Sequence, residues 1–445
     1  MARQIRWCLA VCLVLALVWI PGALAKEQVV LKWTTCCGQV DRHELFQSWA
    51  RRYESRNPGI KVEWEYPSGS YGAVLLTRIV GGAGPDVMWI GGAYSELADL
   101  FASVDDMRTR TGGPLRDVMP SVFPLFSWGG KLGAAPYGAN TVPFFINQRL
   151  FAEAGLQVPS PSWTWDDFLV LIKRLTADLD GDGEPDRWGF DIRSGGYQGT
   201  AVSWGGAPFT PDGRKVAFNN PITVGVTQII VDLVTNKHGP YQLPAGRGDF
   251  AAVARSGAAA IVAGGVWGVP ALRQLPEDEW EGIIFPGYEY QGERYHGTYL
   301  SGEAWAISNT TPYPAEARRF VEFLLDKEQM REFARLGGII PTQQAVAREF
   351  FHPSTSKPQN MAAFLDCLEV GKPLWNTHPA GNEVITRSGT VWSDLWAGRL
   401  PAITAYEQME VIGNAVLADF LGKEAVRYSL GGPSHSIMTS MVDAC

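Results

Sequence analysis

The sequence has little of what catalysis and metal binding draw on. Six histidines and six cysteines are scattered through 445 residues, and the histidines show no metal-ligand spacing. Charged residues make up 19%, and 46 acids outnumber 38 bases for a net charge of −8. That balance argues against a nucleic-acid or anionic-membrane partner. Beyond the first 25 residues there is no apolar run long enough to span a bilayer. The phosphate loop GxxxxGK[ST] and the elbow GxSxG are absent. His43-Glu44 opens like a zinc-protease motif, but Gln47 stands where the second His belongs. Residues 246–251 match GxGxxA, yet they follow Leu243-Pro244-Ala245 rather than a strand, which excludes a dinucleotide fingerprint. Asp105-Asp106 and Asp166-Asp167 read as helix-start carboxylates, not as an acid/base pair.

What is present is core material and tryptophan. Apolar residues reach 46%, enough for a large globular chain and too many for a disordered one. There are 17 Trp, an excess that suits flat platforms for stacking on planar faces or sugar rings. Arg3 and Arg6, the apolar stretch 7–20, Pro21-Gly22 and Ala23-Leu24-Ala25 form a secretory signal peptide. Its removal would leave residues 26–445 with a charge of about −10, since two Arg and no acid depart. The residue directly after Ala25 is Lys26, not Cys, so a lipid anchor is not expected; the mature chain should be free in the periplasm or outside the cell. Cys36, Cys37, Cys367 and Cys445 then remain, and three pairings are open. A Cys367–Cys445 bond is favoured over pairings with the adjacent Cys36-Cys37.

Strands and helices alternate. Residues 29–33 and 87–90 are short apolar strands, and residues 60–66 alternate apolar with charged positions at a period of two. Residues 43–56 carry an apolar face at helical spacing and stop at Asn57-Pro58-Gly59. Further helices are expected at 166–175, 315–325 and 407–420, and a strand at 258–262. This order indicates an α/β fold. No clean linker divides the chain, which favours two lobes joined by several crossings.

The turn at 178–186 holds Asp178, Asp180, Asp182 and Asp186 around two glycines. It resembles the start of a calcium loop, but its twelfth position is Gly189 rather than Glu. The competing reading is a tight turn whose side chains bond their own backbone.

Seven segments, in order, carry a family resemblance. Residues 144–156 resemble the "YN-x-x-LF-x-x-AG" segment of the carbohydrate-type (family 1) extracellular solute-binding proteins of ABC importers. Residues 163–168 are similar to the family's "TWDEF" helix start, and the Asp turn with Arg187-Trp188-Gly189-Phe190 to its "DGDG…GF". Gly84-Pro85-Asp86-Val87 matches "PDV", and Ala258-Ala259-Ala260-Ile261 with Gly265-Val266-Trp267 resembles its "AAM…G-x-W" strand and turn. Residues 317–325 and 338–342 resemble its "A-x-x-F-x-x-FL" helix and "G-x-x-P-T" turn. Ile146 and Pro143 depart from the pattern, as does the Cys-Cys pair before the first helix.

The resemblance implies a periplasmic-binding-protein-like fold with an interlobe cleft and hinge closure. Residues 26–137 and 303–337 would form lobe 1, and 138–302 with 338–445 lobe 2. It implies a monomer that binds a sugar or oligosaccharide and delivers it to the membrane permease, with no covalent chemistry and no cofactor. Stacking candidates are Trp267, Trp204, Trp89, Tyr94 and Trp375; polar rim candidates are Glu44, Asp86, Glu303 and Asn382. Two other readings stay open: the same fold carrying glycerol phosphate or a polyamine, and a secreted carbohydrate-active enzyme with two carboxylates across a cleft.

Overall fold

The computed structural model describes residues 28–36, 40–67, 71–91, 97–128, 130–191, 204–236, 250–275, 279–351 and 358–429. The signal segment, Cys37, Tyr94 and Cys445 lie outside them.

Strand β1 (Val29–Thr34), helix α1 (Val40–Arg56) and strand β2 (Ile60–Glu65) open the first lobe. The strands pair in parallel, Leu31 opposite Val62 and Trp33 opposite Trp64, and the helix supplies the crossover that parallel pairing needs. Strand β3 (Val87–Gly91) adds to β1 in parallel and is buried along its whole length. The sheet is completed from distant sequence by β4 (Ala135–Asn140), and the second lobe then begins at β5 (Phe144–Asn147). That lobe contains helix α2 (Trp165–Leu175), strands β6 (Trp188–Asp191) and β7 (Ala259–Ala263), helix α3 (Val269–Arg273) and strand β8 (Trp280–Ile283). Thr164 and Asp167 cap α2 reciprocally, side chain to backbone in both directions.

Strand β9 (Thr298–Ile307) returns to the first sheet, followed by α4 (Pro314–Leu324), α5 (Lys327–Leu336) and the short edge strand β10 (Ile340–Pro341). The first sheet runs β10-β4-β9-β3-β1-β2 and the second β8-β5-β7-β6. The first sheet thus keeps Ile340–Pro341, beyond the boundary expected at residue 337. The chain meets the second sheet again at Gln359, bonded to Trp280 and Gly282. Helices α6 (Ala363–Val370), α7 (Gly381–Arg387) and α8 (Ala402–Ser429) follow.

Strand alternation sorts the core. Phe144 and Ile146 pack with Phe168, Phe190 and Phe285 on one face of the second sheet, while Phe145 packs on the other against Phe364. In the first lobe Trp33, Phe46, Trp49 and Trp305 are fully buried, so Trp33 joins Trp49 as packing. Trp64 is half-buried, and its indole donates to Thr35. Cys367, on the inner face of α6, is a buried free thiol among the described residues; Cys445, its expected partner, lies outside them. Cys36 is disulfide-bonded.

Topology fixes where a ligand would sit. β4 ends at Asn140, with three residues between it and β5, so both meet at a crossing. β9 is antiparallel to β4 and to β3, which brings the C-terminal ends of β1, β2 and β3 to the same edge. In the second sheet β7 is antiparallel to β5 and parallel to β6, so their C-terminal ends also reach the crossings. The carboxyl ends of both sets of parallel strands therefore face the gap between the lobes, the ordinary ligand position in α/β sheets.

Candidate functional site

At that edge, the first lobe buries a charge. Glu303 is the one charged residue of β9, opposite Gly91 on one side and Gly138 on the other. Gly138 has no room for a side chain, since a Cβ there would lie 1.9 Å from Ile339. The β9–β4 register shifts between Glu303 and Ala304, where Pro136 supplies no N–H. Tyr137 sits at this irregularity and donates its hydroxyl to Glu303 Oε2 at 2.5 Å. Trp89 Nε1 donates to the same oxygen at 2.8 Å. Arg42, from the first turn of α1, pairs with Glu303 and donates to the Tyr137 hydroxyl at 2.8 Å. Its guanidinium lies over Phe333, 4.9 Å from the ring centre.

Burial pushes the Glu303 carboxyl up, but the Arg42 charge and three side-chain donors outweigh it and hold it below its usual range. Burial also works against the Arg42 charge, and Glu303 more than offsets it. The Tyr137 hydroxyl is pushed up, by burial and then by the Glu303 charge. This cluster is a buried, charge-balanced ion pair whose carboxylate is held ionised rather than poised as a general acid.

The second lobe contributes Trp267. It sits on a single helical turn (Val266–Gly268) directly after β7 and is 42% exposed, unusual for its size. Its ring folds back over Gly265, where a Cβ would come within 2.1 Å of it. Gly264 N–H donates to the Pro143 carbonyl at 3.1 Å, tying this turn to the crossing. A partly exposed indole packed closely on a glycine is suited to an apolar sugar face.

The other expected residues are placed as follows. Trp89 is buried and bonded to Glu303, at the C-terminal end of β3. Glu44 is exposed near the start of α1, and Asn382 is exposed in the first turn of α7. Trp375 is half-buried with its ring edge against Trp392, 5.8 Å between centres. Two expectations need correction. Trp204 is 3% exposed and packs on Trp165 and Phe285, with Gly297 against its ring, so it is a core side chain. Asp86 precedes β3, at the end of the strand away from the crossings. It accepts from Lys32 N–H at 2.8 Å and from the Thr311 hydroxyl, which makes it a strand-start clamp rather than a rim group.

Sequence reasoning missed Arg42 and Tyr137. The only signal was Glu303 itself, a lone charge within its strand that calls for a partner. It also missed Tyr66, 45% exposed just past the C-terminal end of β2, its ring tilted against His43 with 4.3 Å between centres.

In the Asp turn, carboxylate atoms of Asp178, Asp180 and Asp186 lie within 4.8 Å of one another, while Asp182 stands outside the group. These four side chains also accept backbone N–H groups from Leu179, Asp180, Gly181, Asp182, Gly183 and Glu184. The donor set would suit a hard cation, and the turn is equally accounted for by its own backbone. A separate concavity of about 430 Å³, between Met119, Gln344, Arg348, Leu365 and Glu369, shares no residue with Glu303 or Trp267.

Comparison with known proteins agrees with this geometry. The family described as bacterial extracellular solute-binding protein matches residues 40–331. An uncharacterized lipoprotein in the oleD 5′ region of Streptomyces antibioticus is 29% identical over 367 residues, covering 77% of each chain. The sugar-binding protein MalE of Xanthomonas citri superposes with a TM-score of 0.74 at 17% identity, covering 91% of this chain and all of that one. The cyclic alpha-maltosyl-1,6-maltose binding protein of Arthrobacter globiformis gives 0.72 at 20% identity, covering 88% and 99%. Among the described residues no helix is long and apolar enough to cross a membrane.

Proposed function

The chain belongs to the bacterial extracellular solute-binding proteins, and on that premise we propose that it is the extracytoplasmic receptor of an ABC importer. It takes a sugar or oligosaccharide between its lobes and delivers it to the membrane permease. The observation that carries this reading is the pairing of chemistries at the strand ends. An exposed indole, Trp267, follows β7 at the crossing end of the second lobe's sheet. A buried, charge-balanced cluster of Glu303, Arg42, Tyr137 and Trp89 lies at the same edge of the first. Sugars present apolar C–H faces and hydroxyl edges, and this pair offers a partner for each. The superposable MalE and cyclic-maltosyl-maltose binding proteins take ligands of this class.

Among the described residues of this cluster, charge balance weighs against the alternatives. A glycerol phosphate needs a spare cation, and Arg42 is already engaged by Glu303. A polyamine needs a spare carboxylate, and Glu303 is engaged by Arg42. A glycosidase acid needs a carboxyl raised toward neutrality, whereas Glu303 is held ionised. The proposal includes secretion through the N-terminal segment, an unlipidated mature chain acting as a monomer, and no cofactor.

A thermal-shift screen over mono- and oligosaccharides, sugar phosphates and polyamines tests the ligand class. A neutral sugar is expected to raise the melting temperature. Shifts confined to phosphates or amines would replace the sugar reading.

A further inference from the structure

Helix α5 of the first lobe ends at Gly337, which takes the left-handed conformation at φ +78°. Such an end leaves carbonyls without intrahelical partners and a partial negative charge. Here the second lobe satisfies it. Arg273, the last residue of α3, donates Nη1–H to the Arg335 carbonyl at 3.2 Å. Its guanidinium occupies the space beside Gly337, where a Cβ would lie 2.3 Å from Nη1. Pro270, from the same short helix, lies against Gly338. Burial lowers the proton affinity of the guanidinium, as expected for a charge partly withdrawn from water between two packed surfaces.

The contact is placed where it can govern binding. The turn bearing Trp267 runs without a break into α3, so the exposed indole and Arg273 ride on one segment. On the other side, α5 carries Phe333, which packs on Tyr137 at 5.6 Å and under Arg42. Arg273 therefore joins the support of the second lobe's indole to the support of the first lobe's polar cluster.

We propose that Arg273 is a positioning residue: by capping α5 across the gap it holds the lobes together and sets Trp267 against the Glu303 cluster, without touching the solute. This rests on reading the gap as the solute site. A residue that biases closure alone scales every affinity by one factor and leaves selectivity unchanged. A direct contact changes the ranking of ligands.

The test compares wild type, Arg273→Met and Arg273→Lys. Calorimetric titration uses the sugars that shift wild-type melting, and electron-spin distances without ligand use labels at Val80 and Val411, both well exposed and on different lobes. Arg273→Met is expected to weaken all binding sugars by the same factor, about tenfold for one charged hydrogen bond. It is also expected to lengthen the interlobe distance, and Arg273→Lys to recover part of both effects. Unchanged affinity and distance would overturn the proposal, as would a changed sugar ranking at unchanged distance. If the wild type binds no sugar the receptor reading fails, and the ligand-free distances still decide the role of Arg273.

Discussion

Removing the Arg42 guanidinium isolates the energetics of the buried cluster. Arg42→Met keeps a flexible apolar stem over Phe46 and Phe333 while deleting the charge. Glu303 then stays buried with only the neutral donors Tyr137 and Trp89. Breaking one side of a buried pair costs about 3–5 kcal/mol, and the two surviving donors place this case near 3. For a unit the size of one lobe that corresponds to a drop of roughly 6–12 °C in melting temperature. The loss should depend on pH in a defined direction. In the wild type Glu303 titrates below its unfolded value, so its contribution is present above the unfolded carboxylate pKa. It is lost as pH falls through the lower folded one. Without Arg42, burial is left to raise the carboxyl above its unfolded value, and acid then favours the folded variant. The gap between variant and wild type should therefore narrow from pH 7 to pH 5. Adding Glu303→Gln to the variant should recover part of the loss at pH 7. Thermal unfolding followed by near-ultraviolet circular dichroism reads all of these. A loss below about 1 kcal/mol, or a gap that does not change with pH, would refute the account of a charge held ionised by its partner.

Two further outcomes are expected. His378 accepts from Ala380 N–H on Nδ1, bonds the Gly213 carbonyl through Nε2 and lies between Phe209 and Phe420. Burial, only partly countered by the Gly213 bond, lowers its pKa to about 4. The neutral ring thus contributes stability above its unfolded pKa that is lost as pH falls toward 4, about 3 kcal/mol in all. His378→Gln should flatten that acid limb of a stability-versus-pH curve, and an unchanged slope would remove His378 from it. In the Asp turn, six backbone N–H groups already satisfy the carboxylates of Asp178, Asp180, Asp182 and Asp186. Chelator-treated protein is therefore expected to melt at the same temperature with and without added calcium. A rise of several degrees would assign the turn to a cation.

Local features of this fold were legible in the sequence. The period-two alternation of residues 60–66 appears as β2, and the Gly-Pro-Asp turn leads into β3. Asp166 and Asp167 open α2, where Thr164 and Asp167 form a capping box. Each of these depends on neighbours a few residues away. The site was less legible because its geometry depends on pairings across the chain. Arg42 meets Glu303 across 261 residues, and Tyr137 meets it across 166. Nothing local marks either as a partner. Asp86 shows how direction is lost: the motif is correctly read as a turn, but it lies at the entry to β3 rather than at its exit. Trp204 shows how burial is lost: the glycines after it suggest a surface turn, while Trp165 and Phe285 close over the ring from elsewhere. The lobe boundary expected at residue 337 falls short of the sheet for a similar reason, because only strand pairing shows that Ile340–Pro341 remains on the first sheet.

Isothermal titration of wild type and Trp267→Ala with a panel of neutral oligosaccharides, with recovery of the sugar afterwards, tests the central claim most directly. The account predicts one sugar bound per chain by the wild type, returned chemically intact. It predicts binding weakened by roughly 1–3 kcal/mol in the variant, with the melting temperature of the ligand-free variant unchanged. Absence of binding to every sugar, turnover of the sugar, or full affinity in Trp267→Ala would contradict it.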